Sequence, residues 1–300
     1  MIDQSAEVAQ QTMRESALTD EVVASFATTL DPRLQEVMSS LVRHLHGFIR
    51  DVRLTQAEWD AAIAFLTRAG DITDAHRQEF ILLSDVLGAS MMTVAVNAPA
   101  RSAATESTVF GPFFVEDAPL ITSGDDIGAG MAGRPCHVRG SVRSVDGEPL
   151  AGARVEVWAA DEAGFYDVQY EGAQLSGRAH FFTDDDGCFD YWTVQPAAYP
   201  IPHDGPVGDL LAAAGRSPMR PAHIHFMVTH AGYETLITHI FVEGDDWLDQ
   251  DAVFGVKQSL IVPFVEHEPG TGPRGRVIDQ TWSSTTFDIA LAPASTARPD

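Results

Sequence analysis

The chain has 300 residues, 45% of them hydrophobic and 9% aromatic, which is enough for one large domain with an appendage or two modest ones. A formal net charge of −24 with only 19 Lys and Arg excludes the basic face that nucleic acid requires, and the acidity reads as a solvated surface. Cys136 and Cys188, outside any Cys-x-x-Cys, exclude a disulfide framework and a thiolate metal site. The start lacks a basic and apolar leader, and no run approaches the roughly 18 apolar residues of a membrane span, so a cytoplasmic location without membrane insertion is expected.

Residues 1 to about 30 are polar and Ala-rich, and are expected to begin with a loose end before Leu18-Thr-Asp-Glu21 opens a helix. From the N-cap and first-turn pair Asp31-Pro32, the apolar residues Leu34, Val37, Met38, Leu41, Leu45, Phe48 and Ile49 recur at helical spacing. Thr55-Gln-Ala-Glu58 is a capping box for the next helix, with Trp59, Ile63 and Leu66 expected to face inward and Gly70 to end it. A third helix is expected from about Thr73 through Phe80, Leu83, Val86 and Leu87 into Val94. His44, His46 and His76 in this part read as surface or packing residues.

The small, Pro-containing stretch Asn97 to Ala104 reads as a linker or edge loop. Ser107 to Phe114 follows, too apolar for water, and is either a core plug or a pocket wall. From Pro135 the period becomes two, through Val138 and Val142, Ala153 to Trp158, Phe181 to Thr183, Cys188 to Trp192, His223 to Thr229, Leu236 to Val242, Ser259 to Val265 and Thr285 to Leu291. Asp146-Gly147 and Asp184 to Gly187 supply turns, the latter lacking the spacing and terminal Glu of a calcium loop. The fold class is therefore mainly β with an α-helical N-terminal part, divided into residues 1–105 and an antiparallel β-sandwich over 106–300.

The chemistry concentrates in Arg220-Pro-Ala-His223-Ile-His225-Phe-Met-Val228. On a strand His223 and His225 share one face about 7 Å apart, within reach of one ion, while Ile224, Phe226 and Val228 take the other. His-x-His alone is also met in strands that carry two satisfied polar histidines and no ion. If Tyr166 and Tyr199 joined them, two phenols with ordinary pKa near 10 would have to ionise, which needs a strongly Lewis-acidic ion. Two phenolates and two imidazoles suit Fe(III) and disfavour zinc. Tyr170, Tyr191 and Tyr233 read as packed rings, and His137, His180, His203, His230 and His267 as structural or loop residues.

Tyr199-Pro-Ile-Pro-His-Asp-Gly-Pro-Val-Gly-Asp-Leu-Leu211, followed by Arg220-Pro-Ala-His-Ile-His-Phe226, closely resembles the intradiol ring-cleavage dioxygenases. Glu106 to Phe114, Gly152 to Trp158, Thr238 to Asp245 and Leu248 to Lys257 match in the same order, so the resemblance runs from about residue 20 to 290. It implies a non-haem enzyme with one Fe(III) per subunit, held by Tyr166, Tyr199, His223 and His225 with a water or hydroxide in the fifth position. It implies as well that a hydroxylated aromatic substrate chelates the iron and displaces Tyr199, which takes up a substrate proton, before O₂ opens the ring to a muconate. Arg220 is implied to stabilise developing negative charge.

Within the family, the resemblance is to the branch that acts on hydroxyquinol (1,2,4-trihydroxybenzene), the alternative being catechol or a chlorocatechol. The implied substrate pocket is Leu82, Asp85, Val109, Phe110, Gly111, Pro112, Phe113, Ile201, Pro202 and Val253. Asp85 could accept a hydrogen bond from the third hydroxyl that catechol lacks, or could be a solvated charge on a helix. His239 stands where catechol-cleaving relatives carry glutamine near Arg220, which supports that branch. The resemblance further implies a homodimer whose helices meet at a two-fold, around a bound phospholipid. The helical spacing alone gives a surplus of apolar positions such as Leu41, Leu45, Phe48 and Phe65. Two other classes fit a sandwich with His-x-His: a zinc hydrolase, which would be colourless where ferric phenolate is red, and a non-catalytic binding sandwich.

Overall fold

A computed structural model describes residues 4–74, 77–98, 103–170 and 175–294. His76 and residues 99–102 of the small-residue connector lie outside the described residues. Two compact units divide the chain, Met1–Arg68 and Ala69–Asp300.

The first unit holds α1 (Gln4–Ala24), α2 (Pro32–Val52) and most of α3 (Gln56–Asp71). α1 begins well before the expected Leu18 because its Ala, Gln and Glu residues are good helix formers, so Leu18 to Glu21 lie in its interior. Asp31 caps α2 as expected, accepting the N–H of Arg33 at 2.8 Å and of Leu34 at 3.2 Å. The Thr55/Glu58 box opens α3, with Glu58 accepting the Thr55 N–H at 2.8 Å and Thr55 accepting the Glu58 N–H at 3.3 Å. α1 meets α2 through polar groups: Thr19 Oγ1 lies 3.1 Å from His46 Nδ1 and accepts from Arg50 Nη1 at 3.1 Å. Trp59, Ile63 and Leu66, expected to face inward, are exposed, as are Leu41, Leu45 and Phe48. Periodicity fixes which residues share an apolar stripe, but not whether the same chain supplies its cover.

In the second unit the expected third helix is two, α4 (Glu79–Val86) and α5 (Ala89–Asn97), bent by 74° at a break where Gly88 takes φ 72°. Among the described residues no single helix is long and apolar enough to cross a membrane. The strands are β1 (Pro135–Ser144), β2 (Arg154–Ala159), β3 (Arg178–Phe182), β4 (Cys188–Val194), β5 (Tyr199–Pro200), β6 (Met219–Arg220), β7 (His223–Thr229), β8 (Leu236–Val242), β9 (Ile261–Val262), β10 (Val265–His267), β11 (Gly270–Thr271), β12 (Val277–Ile278), β13 (Trp282–Thr286) and β14 (Ile289–Leu291). α6 (Pro206–Ala213) lies between β5 and β6.

One five-stranded sheet runs β3-β2-β7-β8-β9, the other β10-β13-β1-β14 with β4 on β1. Val155, Val157, Phe181, Ile224, Phe226 and Ile240 of the first sheet and Val138, Val142, Phe189 and Ile289 of the second form the shared core. The sandwich is not strictly antiparallel: β1 pairs β13 and β14 in parallel, and β8 pairs β9 in parallel. A period of two reports which face a side chain takes and is blind to the direction of the neighbouring strand.

Candidate active site

β7 splits as its alternation predicts. Ile224, Phe226 and Val228 enter the inter-sheet core, while His223 and His225 turn to the other face. Strand register places Trp158 of β2, His225 of β7 and His239 of β8 in one row across three strands. The Trp158 ring stacks on the His225 imidazole with centroids 4.7 Å apart. His223 Nδ1 donates to the Pro221 carbonyl at 2.7 Å, which leaves the Nε2 lone pair directed into the site.

The tyrosines arrive from loops that short elements hold still. β5 and β6 form a two-residue ribbon that sets Tyr199 opposite Arg220. Tyr166 caps the 3₁₀ turn Asp167–Gln169, its N–H donating to Gln169 Oε1 at 2.8 Å. Asp167 is ion-paired to Arg178, and Arg178 Nη1 donates to the Phe113 carbonyl at 2.8 Å, which brings the Phe113 ring into a stack on Tyr166 at 4.5 Å. Two glycines allow the close approach. A Cβ on Gly164 (φ 81°) would come 2.6 Å from Tyr199 Cβ, and one on Gly111 (φ 78°) would come 3.1 Å from His225 Cε1.

Four donor atoms therefore converge. Tyr166 Oη lies 3.1 Å from Tyr199 Oη, 3.4 Å from His223 Nε2 and 2.9 Å from His225 Nε2, and the two Nε2 atoms are 3.2 Å apart. None of the four residues exceeds 5% exposure. Such spacings are those of neighbouring donors on one first-row ion about 2 Å from each. Burial holds both imidazoles well below their ordinary pKa, with the Arg220 cation adding to it, so both are neutral and able to ligate. Burial, and then the neighbouring Tyr199, push the Tyr166 phenol well up, so ionising it demands a strong cation at its oxygen.

His239 joins the group as a third imidazole, its ligand atom within 4.8 Å of those of His223 and His225. Its Nδ1 lies 2.5 Å from Thr108 Oγ1, and its Nε2 is buried without a hydrogen-bond partner among the described residues. Arg220 is 3% exposed, and its Nη1 lies 3.2 Å from His223 Nε2. Burial works against its charge, but Asp251 and the two tyrosine oxygens outweigh it and move the guanidinium pKa up.

The residues expected to form the pocket differ in how closely they bear on these donors. Phe113 stacks on Tyr166, Gly111 lies against His225, and the Phe110 ring meets Trp158 edge-on at 5.8 Å. Asp85, with Leu82 one turn earlier on α4, is buried. Burial raises its carboxyl pKa and Asp251 adds to the rise, while Ser90 and Arg220 oppose it. Val109, Ile201 and Val253 are buried, Pro202 is half-buried, and Pro112 is exposed. Thr108, Trp158, Arg178 and Asp251 carried no expectation for the site, because each makes its contact across strands or loops that no local spacing encodes.

Fold and site meet a known class. The family model described as Dioxygenase matches residues 109–293, and that described as Catechol dioxygenase N terminus matches residues 31–105. A hydroxyquinol 1,2-dioxygenase of Nocardioides simplex is 58% identical over 288 residues, which cover 95% of this chain and 98% of that protein. One of Rhodococcus opacus is 61% identical over 282 residues, covering 93% of this chain and 94% of the relative. The crystal structure of hydroxyquinol 1,2-dioxygenase from Pseudomonas putida DLL-E4 superposes with a TM-score of 0.88 at 42% identity, over 94% of this chain and 100% of that one. The chain belongs to the intradiol ring-cleavage dioxygenase family.

Proposed function

We propose that this protein cleaves hydroxyquinol with O₂ between its two adjacent hydroxylated carbons, giving 3-hydroxy-cis,cis-muconate, the enol form of maleylacetate. Both oxygen atoms enter the product. The observation that carries this reading is the convergence of two phenol oxygens and two neutral imidazoles within 2.9–3.4 Å in a buried site, in a chain similar over most of its length to hydroxyquinol dioxygenases.

Tyr166, Tyr199, His223 and His225 would hold one Fe(III) per chain. The donor chemistry fits, because a Tyr166 phenol that burial keeps protonated becomes a ligand only for a hard, strongly Lewis-acidic ion, and two phenol oxygens beside two imidazoles suit such an ion. When bound, that ion supplies a Lewis acid and a template for the two adjacent hydroxyls and for O₂. Tyr199, held opposite Arg220 by a two-residue ribbon, would as its phenolate take up a substrate proton. Arg220, a permanent cation with a free Nη2, faces the developing negative charge. His239, fixed by Thr108, lines the same face. Asp85 would accept a hydrogen bond from the third ring hydroxyl, and Phe110, Phe113, Val109 and Gly111 would wall the ring, with Leu82, Pro112, Ile201, Pro202 and Val253 completing the pocket.

The decisive experiment compares kcat/KM for hydroxyquinol and catechol in the native protein and in Asp85→Asn. A strong preference for hydroxyquinol that narrows in the variant is expected. Equal turnover of the two diols would contradict the substrate assignment, and an unchanged ratio in the variant would remove Asp85 from it.

The exposed stripe of Leu41, Leu45, Phe48, Trp59 and Ile63 supports a homodimer joined through the helical part, whose functional extent is residues 1–105 beside a catalytic part 106–300. A cleft of about 420 Å³ lined by Leu18, Ile49, Leu54, Arg50 and Arg53 supports phospholipid binding in the helical part. Free thiols at Cys136 and Cys188 support a reducing, cytoplasmic location.

A further inference from the structure

Asp251 is 6% exposed and spends its carboxylate on three donors. Oδ1 accepts from Arg220 Nε at 3.2 Å and from the Val253 N–H at 3.3 Å, and Oδ2 accepts from the Gly255 N–H at 2.8 Å. One side chain thus holds the edge of the active-site cation and closes the turn that carries Val253. The fit is tight. A Cβ on Gly255 would come 3.1 Å from Asp251 Oδ2 and 3.3 Å from Arg220 Nη2, so glycine leaves room for both groups.

The consequence for Arg220 follows from the shape of a guanidinium, whose five N–H groups lie in one rigid plane. With Nε held by Asp251 and Arg220 only 3% exposed, the plane has little freedom to turn. Nη2 is left buried with no hydrogen-bond partner among the described residues. Buried donors without partners are rare enough to need a reason, and an anionic oxygen of a bound substrate would supply the missing acceptor. Asp85 is the other acid that bears on Arg220, yet the ion pair goes to Asp251.

We propose that Asp251 is a positioning residue for ring cleavage: it clamps the Nε edge of Arg220 and caps the Val253–Gly255 turn, so one carboxylate sets the free Nη2 and the pocket wall together. The proposal rests on the iron and hydroxyquinol reading above, and its test separates the two. Asp251→Asn keeps the size of the side chain but removes its charge and one acceptor. The iron content, visible spectrum and anaerobic hydroxyquinol complex of the variant should match the native protein, while the rate of the O₂-dependent step falls about 10-fold. Placed in an Arg220→Gln background, the same substitution should change that rate less than about 3-fold, since residues that act through one another are not additive.

An equal loss in both backgrounds would overturn the proposal, because Asp251 would then act on the fold and not through Arg220. So would a native rate in Asp251→Asn. Native protein that holds no iron, or forms no complex with hydroxyquinol, would contradict the functional reading itself.

Discussion

The helices of the first unit and the sandwich of the second both show clear hydrophobic periodicity, yet they use it in opposite ways. On β7 the apolar face, Ile224, Phe226 and Val228, is no more than 1% exposed, and the polar face, His223 and His225, is as deeply buried. On α2 no residue is buried, and Leu41, Leu45 and Phe48 are each about half exposed. A strand between two neighbours inside a sandwich has both faces covered by its own chain, so even its polar side must find partners, and a cluster of neutral imidazoles and phenols is the result. The amphipathic helix leaves its apolar stripe exposed on this chain.

The sharpest way to break this contrast is to remove a polar group from the buried face. Tyr199→Phe and His225→Ala should each weaken iron retention and abolish ring cleavage, read by metal analysis and product formation. Native iron content and rate in either variant would overturn the site assignment. On the apolar side of the same strand, Phe226→Ala should cost about 3–5 kcal/mol of stability, measured as a fall in the urea midpoint, because a fully buried ring leaves a cavity that packing cannot close.

The exposed helical stripe should answer differently. Leu45→Glu, half exposed, should change the stability of the separate chain by no more than about 0.5 kcal/mol while shifting the proposed dimer toward monomer in sedimentation. A large stability loss with the dimer intact would mean that the stripe is covered within one chain.

The smallest effect sharpens the comparison at the sandwich surface. Burial works against the Asp190 carboxylate, but Arg274, Ser123 and His137 outweigh it and bring its pKa from 3.8 to about 2. A carboxyl lowered in the folded state stabilises the protein above its ordinary pKa, and that contribution is lost as pH falls through the lower value. Arg274→Gln should therefore move the acid loss of structure upward within the window between 3.8 and about 2, followed by circular dichroism. An unchanged acid profile would contradict it.

The same contrast explains what could be read from the sequence. Alternation placed His223 and His225 on one face and Phe226 on the other without reference to any partner strand, and the Asp31 and Thr55 caps fixed two helix starts from local chemistry. Reading failed where a tertiary partner decides. The parallel pairing of β1 with β13 and β14 leaves no trace in period two, and the turn at Gly88 is hidden inside a run of apolar residues. Trp59, Ile63 and Leu66 had the right stripe and the wrong cover. In the site, Tyr166 and Tyr199 were singled out by resemblance, since an isolated tyrosine announces nothing. Thr108 and Asp251 were missed because their roles exist only through His239 and Arg220, far away along the chain.

The most direct test of the account is the metal content and visible spectrum of the purified protein, before and after anaerobic addition of hydroxyquinol. One ferric ion per chain is expected, with a phenolate charge-transfer band that gives a red protein, shifts when the diol binds and disappears in a Tyr166→Phe, Tyr199→Phe double variant. A colourless protein carrying zinc, or a ferric band that survives loss of both tyrosines, would contradict it.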